Sequence, residues 1–119
     1  MVNYCFALAY TRGGLELARR FAKENTNTKE HDDFYRLVGI SREQIWVQHS
    51  LPGSGMPDIA IISLETHDPI DVMKEFATSN HPWAVNFREF AKKAFDIDIS
   101  NISLPLNEEI VNWKQRIGS

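Results

Sequence analysis

One continuous block, residues 44–98, restricts the fold more than any other part of the chain. As strands, residues 44–51 would place Ile45, Val47, His49 and Leu51 on one face, and residues 58–65 would place Ile59, Ile61, Ser63 and Glu65 on one face; residues 52–55 between them combine proline and glycine. Alternation of this kind is typical of strands with one buried face, and the glycine-rich connection is typical of a turn. The block therefore predicts two strands that pair as an antiparallel hairpin.

Two helix starts follow the hairpin. Asp68 with Pro69 predicts the first, because Asp caps a helix N-terminus and Pro is tolerated in the first turn. His81 with Pro82 predicts the second, which continues as an apolar stripe from Trp83. The hairpin is therefore followed by two helices that pack on it.

The N-terminal part predicts one more strand and a helical region. Residues 2–10 alternate large side chains with small ones, so we expect a central strand with a helix close against the small side. The spacing of apolar residues in 14–38 is helical. The polar stretch at 25–28 interrupts it, so this region forms either one kinked helix or two separate helices. Asn27 is a candidate cap for the second, with Glu30 three residues later, and Gly39 is a natural helix end.

The order strand, helix, strand, strand, helix predicts an α+β fold of the ferredoxin-like type, an antiparallel sheet with helices on one face. We expect residues 1–119 to form a single domain, with 98–119 as a C-terminal extension or arm. Residues 97–104 are compatible with a last strand, and residues 106–113 with a short helix. The uncovered sheet face would carry large residues, so the pattern predicts a homodimer.

Composition excludes several classes of partner. The net charge is −3, so nothing attracts the chain to phosphate backbones or anionic membranes, and neither nucleic acid nor membrane is expected as a partner. No stretch approaches the roughly 20 apolar residues of a membrane span. Cys5 is the single cysteine, lies in an apolar run and is expected to be a small buried hydrophobe. A cytoplasmic location follows as the default expectation.

The same block resembles a known family. The chain resembles a family of small bacterial proteins described only as a domain of unknown function. The resemblance lies in residues 45–49 (Ile-Trp-Val-Gln-His), Asp58 to Glu65, Asp68-Pro69 and residues 79–83 with Phe87. That family is related to the dimeric α/β-barrel superfamily. The resemblance implies the ferredoxin-like fold and a dimer of the dimeric α/β-barrel type, and it brings no established catalytic residues.

His49 and Glu65 are the first candidate pair for chemistry. Each lies near the end of a strand in the predicted hairpin, and a histidine beside a carboxylate can share a proton in general acid–base catalysis. The alternative is that both are hydrated at a sheet edge or bonded to the backbone. The register of the hairpin decides between these readings.

Further residues are candidates for binding a ligand. His81 either caps its own helix or lies at the mouth of a pocket beside Trp83. Trp83 and Phe87 either fill the core or form the wall of that pocket. Tyr10 and Trp46 are expected as pocket walls or dimer contacts. His67 is a further ligand-binding candidate. With His49 and Glu65 it would outline a metal site, but no His-x-x-x-His or Cys pair supports one, so neither a metal nor another cofactor is expected.

The sequence therefore predicts a homodimer with a small-molecule pocket between sheet and helices. In that pocket His49 and Glu65 would perform cofactor-free acid–base chemistry on a small oxygenated compound. A non-catalytic binding or structural dimer is the alternative, so the sequence leaves open whether the protein is an enzyme.

Overall fold

The computed structural model describes residues 1–102 and 106–116. These residues form an α+β fold in the order β1–α1–α2–β2–β3–α3–α4, followed by a short 3₁₀ helix at Ile99–Asn101. The strands are β1 Val2–Ala9, β2 Ile40–Gln48 and β3 Ile59–Thr66. The helices are α1 Gly14–Asn25, α2 Lys29–Val38, α3 Pro69–Thr78 and α4 Pro82–Phe95.

The described strands form one antiparallel sheet. β3 lies in the middle and runs antiparallel to both β1 and β2. Ser63 of β3 stands opposite Cys5 on one side and Gln44 on the other, which fixes the register of all three strands. The predicted hairpin is confirmed as β2 and β3. However, β2 begins at Ile40, four residues before the predicted start, with an irregularity in the ladder next to Ser41.

The helices cover the face of the sheet that carries the large side chains. Phe6 and Leu8 of β1 point to this covered face and pack against the core, whereas Cys5 on the opposite face is exposed. The expectation that the small side of β1 faces a helix is therefore wrong, as is the expectation of a buried Cys5. The large side chains gain more from burial, because the stabilisation scales with the apolar area removed from water.

The opposite face of the sheet has no covering layer in the described part of the chain. We call it the bare face. Half of its residues are small or apolar, and Trp46, which is 49% exposed, is its largest side chain. By register and alternation it consists of Asn3, Cys5, Ala7, Ala9, Arg42, Gln44, Trp46, Gln48, Ile59, Ile61, Ser63 and Glu65.

The region between β1 and β2 contains two helices rather than one kinked helix. Thr28 caps α2, since its hydroxyl oxygen accepts a hydrogen bond from the backbone N–H of His31 at 3.2 Å. Asn27, the predicted cap, instead turns the chain with a left-handed φ of 61°. Gly39 ends α2 with a φ of 84°, as expected for a left-handed C-cap.

Local chemistry also explains the starts of α3 and α4. The Asp68 carboxylate accepts from the backbone N–H of Asp71 at 3.1 Å, with Pro69 as the first helical residue. His81 plays the same part for α4, because its Nδ1 accepts from the backbone N–H of Trp83 at 3.1 Å. Both predicted helix starts are confirmed.

The C-terminal part differs from both secondary-structure expectations. A 3₁₀ helix occupies Ile99–Asn101 in place of a last strand, and Leu104 lies outside the described residues. Residues 106–116 contain neither helix nor strand, so the short helix expected at 106–113 is absent. This segment is an extended arm.

A tight contact joins the start of α1 to the end of α4. Thr11 donates its backbone N–H to the carbonyl of Ala94 at 2.8 Å, and a Cβ placed on Gly14 would lie 2.3 Å from the same carbonyl oxygen. We expect Gly14→Ala to lower the free energy of unfolding by about 1–3 kcal/mol, because the overlap with backbone forces the helices apart. Urea unfolding measures this loss. Gly13→Asn is the comparison and should lose less, since its side chain enters open space and the cost is limited to the left-handed backbone, which Asn adopts more readily than most residues.

Candidate functional site

A cavity of about 260 Å³ lies between the covered face of the sheet and the helices. It runs along the sheet over successive rows of inward side chains, from Glu43 and Leu64 at one end to Tyr10 at the other. Its walls are almost entirely apolar and rich in aromatic rings. The exposed residues in the lining, Ile45 and Thr26 among them, place its opening between β2 and the end of α1.

Glu43 is the acidic group inside this cavity. It occupies the first of three inward positions on β2, followed by Ile45 and Val47, and it stands opposite Leu64 in the sheet. The Tyr35 hydroxyl lies 2.8 Å and 2.9 Å from the two carboxylate oxygens of Glu43. The left-handed turn at Gly39 makes this contact possible, because it folds β2 back alongside α2.

Burial changes the proton affinity of both groups. It raises the pKa of Glu43 from 4.5 to about 6, although the hydrogen bond from Tyr35 works in the opposite direction. Burial also raises the pKa of Tyr35 well above its usual value, and the neighbouring charge of Glu43 adds to that effect. Near neutral pH the pair therefore consists of a carboxyl group that exchanges its proton readily and a phenol that keeps its own.

His31 extends the polar end of the cavity. Its ring centroid is 4.1 Å from that of Tyr35 and 5.4 Å from that of Trp83, and its side chain is 12% exposed. Nδ1 accepts a hydrogen bond from the backbone N–H of Asn27 at 3.3 Å. Burial lowers the pKa of His31, with a smaller opposing effect of Asp32. The ring is therefore neutral near pH 7 and carries its proton on Nε2, as a hydrogen-bond donor.

The raised pKa of Glu43 predicts a pH-dependent stability. The folded state holds the Glu43 proton more tightly than the unfolded chain, so this group stabilises the fold below pH 4.5 and the benefit is lost as the pH rises through about 6. The loss is about 2 kcal/mol. Urea unfolding of the wild type and of Glu43→Gln is measured from about pH 4 to about pH 7, a range that includes both pKa values of Glu43. The difference between their free energies of unfolding should change by this amount across the range. Parallel curves would contradict the expectation.

The structure separates His49 from Glu65. Glu65 pairs with Arg42, whereas His49 follows Gln48 at the other end of the hairpin, so their backbones are about 20 Å apart. His49 is exposed and lies 3.8 Å from an oxygen of Asp58, and the Glu65 carboxylate accepts from the hydroxyl of Ser41 at 2.7 Å. The expectation that they form a pair is wrong within one chain, because each lies near the C-terminal end of its strand and the two strands run in opposite directions.

Trp83, Phe87 and Tyr10 do line the cavity. Trp83 is 4% exposed and stacks on Phe87 with ring centroids 5.4 Å apart, so these two residues are core and cavity wall at once. Tyr10 closes the far end and stacks on Phe95. Its pKa is raised by burial, while the positive charge of Arg19 at the cavity wall lowers it.

The remaining candidates lie elsewhere. His81 caps α4 through Nδ1 and is not part of the cavity wall. Trp46 belongs to the bare face, and His67 is exposed after the end of β3. Within residues 1–102 and 106–116, no group of three or more His, Cys, Asp or Glu side chains is arranged to hold a metal ion.

Sequence reasoning missed the three residues that form the polar end of the cavity, Glu43, Tyr35 and His31. A signal for Glu43 was present, since it extends the inward alternation of Ile45 and Val47 by two residues and places a carboxylate on an apolar face. His31 and Tyr35 are four residues apart on α2 and so share one helix face.

Comparison with family models, with curated proteins and with solved structures yields no match to this chain. None of the helices in the described part of the chain is both long enough and apolar enough to cross a membrane. The geometry of the cavity is therefore the basis for assigning a function.

Proposed function

We propose that the protein binds a small apolar, oxygen-bearing molecule in the cavity and that Glu43 transfers a proton on it without a cofactor. One observation carries the proposal: a carboxyl group with a pKa raised to about 6 lies at the end of an apolar cavity, hydrogen-bonded to a phenol. General bases and acids act best when their pKa is near the working pH. Burial next to apolar walls is how proteins bring a carboxyl group to that value.

The cavity favours a ligand of modest size. Its volume of about 260 Å³ is just below the roughly 300–1,000 Å³ of pockets for drug-sized ligands. Aromatic walls from Phe6, Phe21, Phe76 and Phe90 suit a flat or cyclic hydrocarbon body. The polar end then supplies an acceptor, Glu43, and an N–H donor, His31, while the Tyr35 hydroxyl donates to Glu43.

These groups suit proton transfer next to a carbonyl group. Ionised Glu43 takes a proton from the carbon beside the carbonyl, the C–H electron pair moves into an enolate, and the oxygen gains the negative charge. The Nε2–H of His31 can stabilise that oxygen by hydrogen bonding, since the single proton of the Tyr35 hydroxyl is donated to Glu43. Protonated Glu43 then returns the proton to the same carbon or to another, which gives exchange or isomerisation.

Non-catalytic binding is the second candidate, and one observation favours it. The Tyr35 hydroxyl is within hydrogen-bond distance of both oxygens of Glu43, so the carboxylate is already satisfied inside the protein. In that case the pair only orders the end of α2 against β2, and the cavity holds an apolar ligand without reacting with it.

The bare face supports a homodimer of the ferredoxin-like, dimeric α/β-barrel type as part of the proposal. β1 and β2 flank β3 with all helices on one side, which agrees with a split β-α-β arrangement, although the described residues supply three strands. A sheet face that carries Trp46 and Ile61 gains stability when a second copy covers it.

A cavity-filling variant tests whether a ligand binds where the proposal places it. Ala60 is 1% exposed and lines the cavity from the central strand β3, so Ala60→Leu removes space from the cavity. A thermal-shift screen with small cyclic ketones, phenols and aryl carbonyl compounds should identify ligands that stabilise the wild type and not Ala60→Leu. Ala9→Leu, on the bare face, is the matched control and should keep the response. Equal stabilisation of both variants would place the ligand elsewhere.

A further inference from the structure

The C-terminal arm, residues 107–116, presents large apolar side chains to solvent. Ile110 is 85% exposed, Val111 76% and Trp113 79%. A single exposed apolar side chain is ordinary on a protein surface, but here three lie within four residues on a segment without helix or strand. Such a concentration of exposed apolar surface indicates a contact that the single chain does not provide.

The arm leaves the fold at the open edge of β1. The backbone N–H of Leu106 donates to the Tyr4 hydroxyl at 3.0 Å, and the Asn107 side chain donates to the carbonyl of Cys5. Beyond this point the chain extends outward. The radius of gyration is 15.9 Å, compared with about 13.5 Å for a compact chain of this length.

The bare face is a compact surface for a stable dimer. Three strands of about eight residues give it a footprint of about 14 by 26 Å, and a stable interface buries about 800 Å² of accessible surface on each partner. Trp113 would add on the order of 200 Å² of accessible surface if it became buried, so the arm enlarges the contact that the face provides.

We propose that in the homodimer each arm crosses to the second copy and packs Ile110, Val111 and Trp113 on that copy's bare face, beside the contact between the sheets. This inference rests on the homodimer of the proposed function. A second copy is the fitting occupant because it brings both an uncovered apolar face and an arm. In a two-fold symmetric dimer, each copy's arm then covers the other copy's bare face, so both arms and both faces are buried in one isologous interface.

The molecular mass in solution is the first test. Analytical ultracentrifugation should give twice the chain mass of 13.7 kDa for the wild type at micromolar concentration. Ile110→Ser combined with Trp113→Ser should raise the dimer dissociation constant at least 10-fold, since a few central apolar anchors carry most binding energy. Asn112→Ser, on the same arm, is the control and should leave the constant unchanged.

A mixing experiment tests which chain receives the arm. Cys5 is the single cysteine and is exposed on the bare face, so a bimane label on it reports a nearby tryptophan by quenching. The labelled chain carries Trp46→Phe and Trp113→Phe, and the added chain carries Cys5→Ser together with Trp46→Phe, because its own Trp46 would otherwise lie against the label. Emission should fall when the added chain keeps Trp113, and it should not fall when that chain carries Trp113→Phe.

The outcomes separate the two proposals. A wild-type mass of one chain would overturn the homodimer and the arm exchange together, while the ligand site would still be tested by Ala60→Leu. If the wild type is a dimer but the arm variants leave its dissociation constant unchanged and the mixing experiment shows no quenching, the arm exchange alone would be overturned. Quenching in a second labelled chain, which carries Trp46→Phe but keeps its own Trp113, at a dilution where the mass is monomeric would place the arm on its own sheet, against the proposal.

Discussion

Replacing Glu43 with glutamine should lower the rate of proton transfer by about 10²–10⁴-fold, the usual contribution of a positioned general base. Gln has nearly the same volume and keeps a carbonyl oxygen that can accept from Tyr35, so the packing of α2 on β2 should persist. What disappears is the ability to take up and return a proton. The loss therefore isolates the chemistry of Glu43 from its structural role.

Deuterium exchange measures this effect directly. Ligands found in the thermal-shift screen are incubated with the protein in D₂O, and proton NMR follows the loss of signal at the carbon beside the carbonyl. The wild-type rate should rise with an inflection near pH 6 as Glu43 ionises. Glu30→Gln, at an exposed position on α2, is the matched control and should keep both rate and inflection.

Tyr35→Phe sharpens the interpretation. The hydroxyl of Tyr35 lowers the pKa of Glu43 by hydrogen bonding, so its removal should move the inflection to higher pH. A rate in Glu43→Gln equal to that of the wild type would exclude Glu43 as the base. Binding without any exchange in the wild type would favour the non-catalytic alternative.

Local sequence chemistry predicted most of the elements and little of the site. Asp68 and Pro69 start α3, and Gly39 ends α2, because caps and left-handed turns depend on a few adjacent residues. The contact of Tyr35 with Glu43 depends on how α2 meets β2 after the turn. No pattern within either element encodes that packing.

Two errors came from topology rather than from propensity. Alternation in β1 identifies its two faces, but which face is covered depends on how the helices fit, and the larger side chains of Phe6 and Leu8 took the covered side. The pairing of His49 with Glu65 overlooked that antiparallel strands end at opposite edges. The antiparallel direction of the two strands is therefore enough to exclude a contact between His49 and Glu65.

Replacing Trp83 with alanine should lower the free energy of unfolding by about 3–5 kcal/mol, the usual loss for a large buried aromatic residue. Trp83 is 4% exposed, stacks on Phe87 and Phe34, and donates its indole N–H to the carbonyl of Asn25 at 2.9 Å. Alanine removes the indole that contacts both Phe87 and Phe34, and it leaves the Asn25 carbonyl without its hydrogen-bond donor. Urea unfolding followed by far-ultraviolet circular dichroism measures the change.

Two further variants show which part of the indole matters. Trp83→Phe keeps an aromatic ring against Phe87 and loses the hydrogen bond to Asn25, so its loss of stability should be smaller than that of Trp83→Ala. Val85→Ala, at an exposed position on the same helix, should change the free energy by no more than about 0.5 kcal/mol. A loss below about 1 kcal/mol in Trp83→Ala would mean that the indole does not hold α4 against α1 and α2. The cavity would then lack the rigid aromatic wall on which the position of Glu43 relative to a ligand depends.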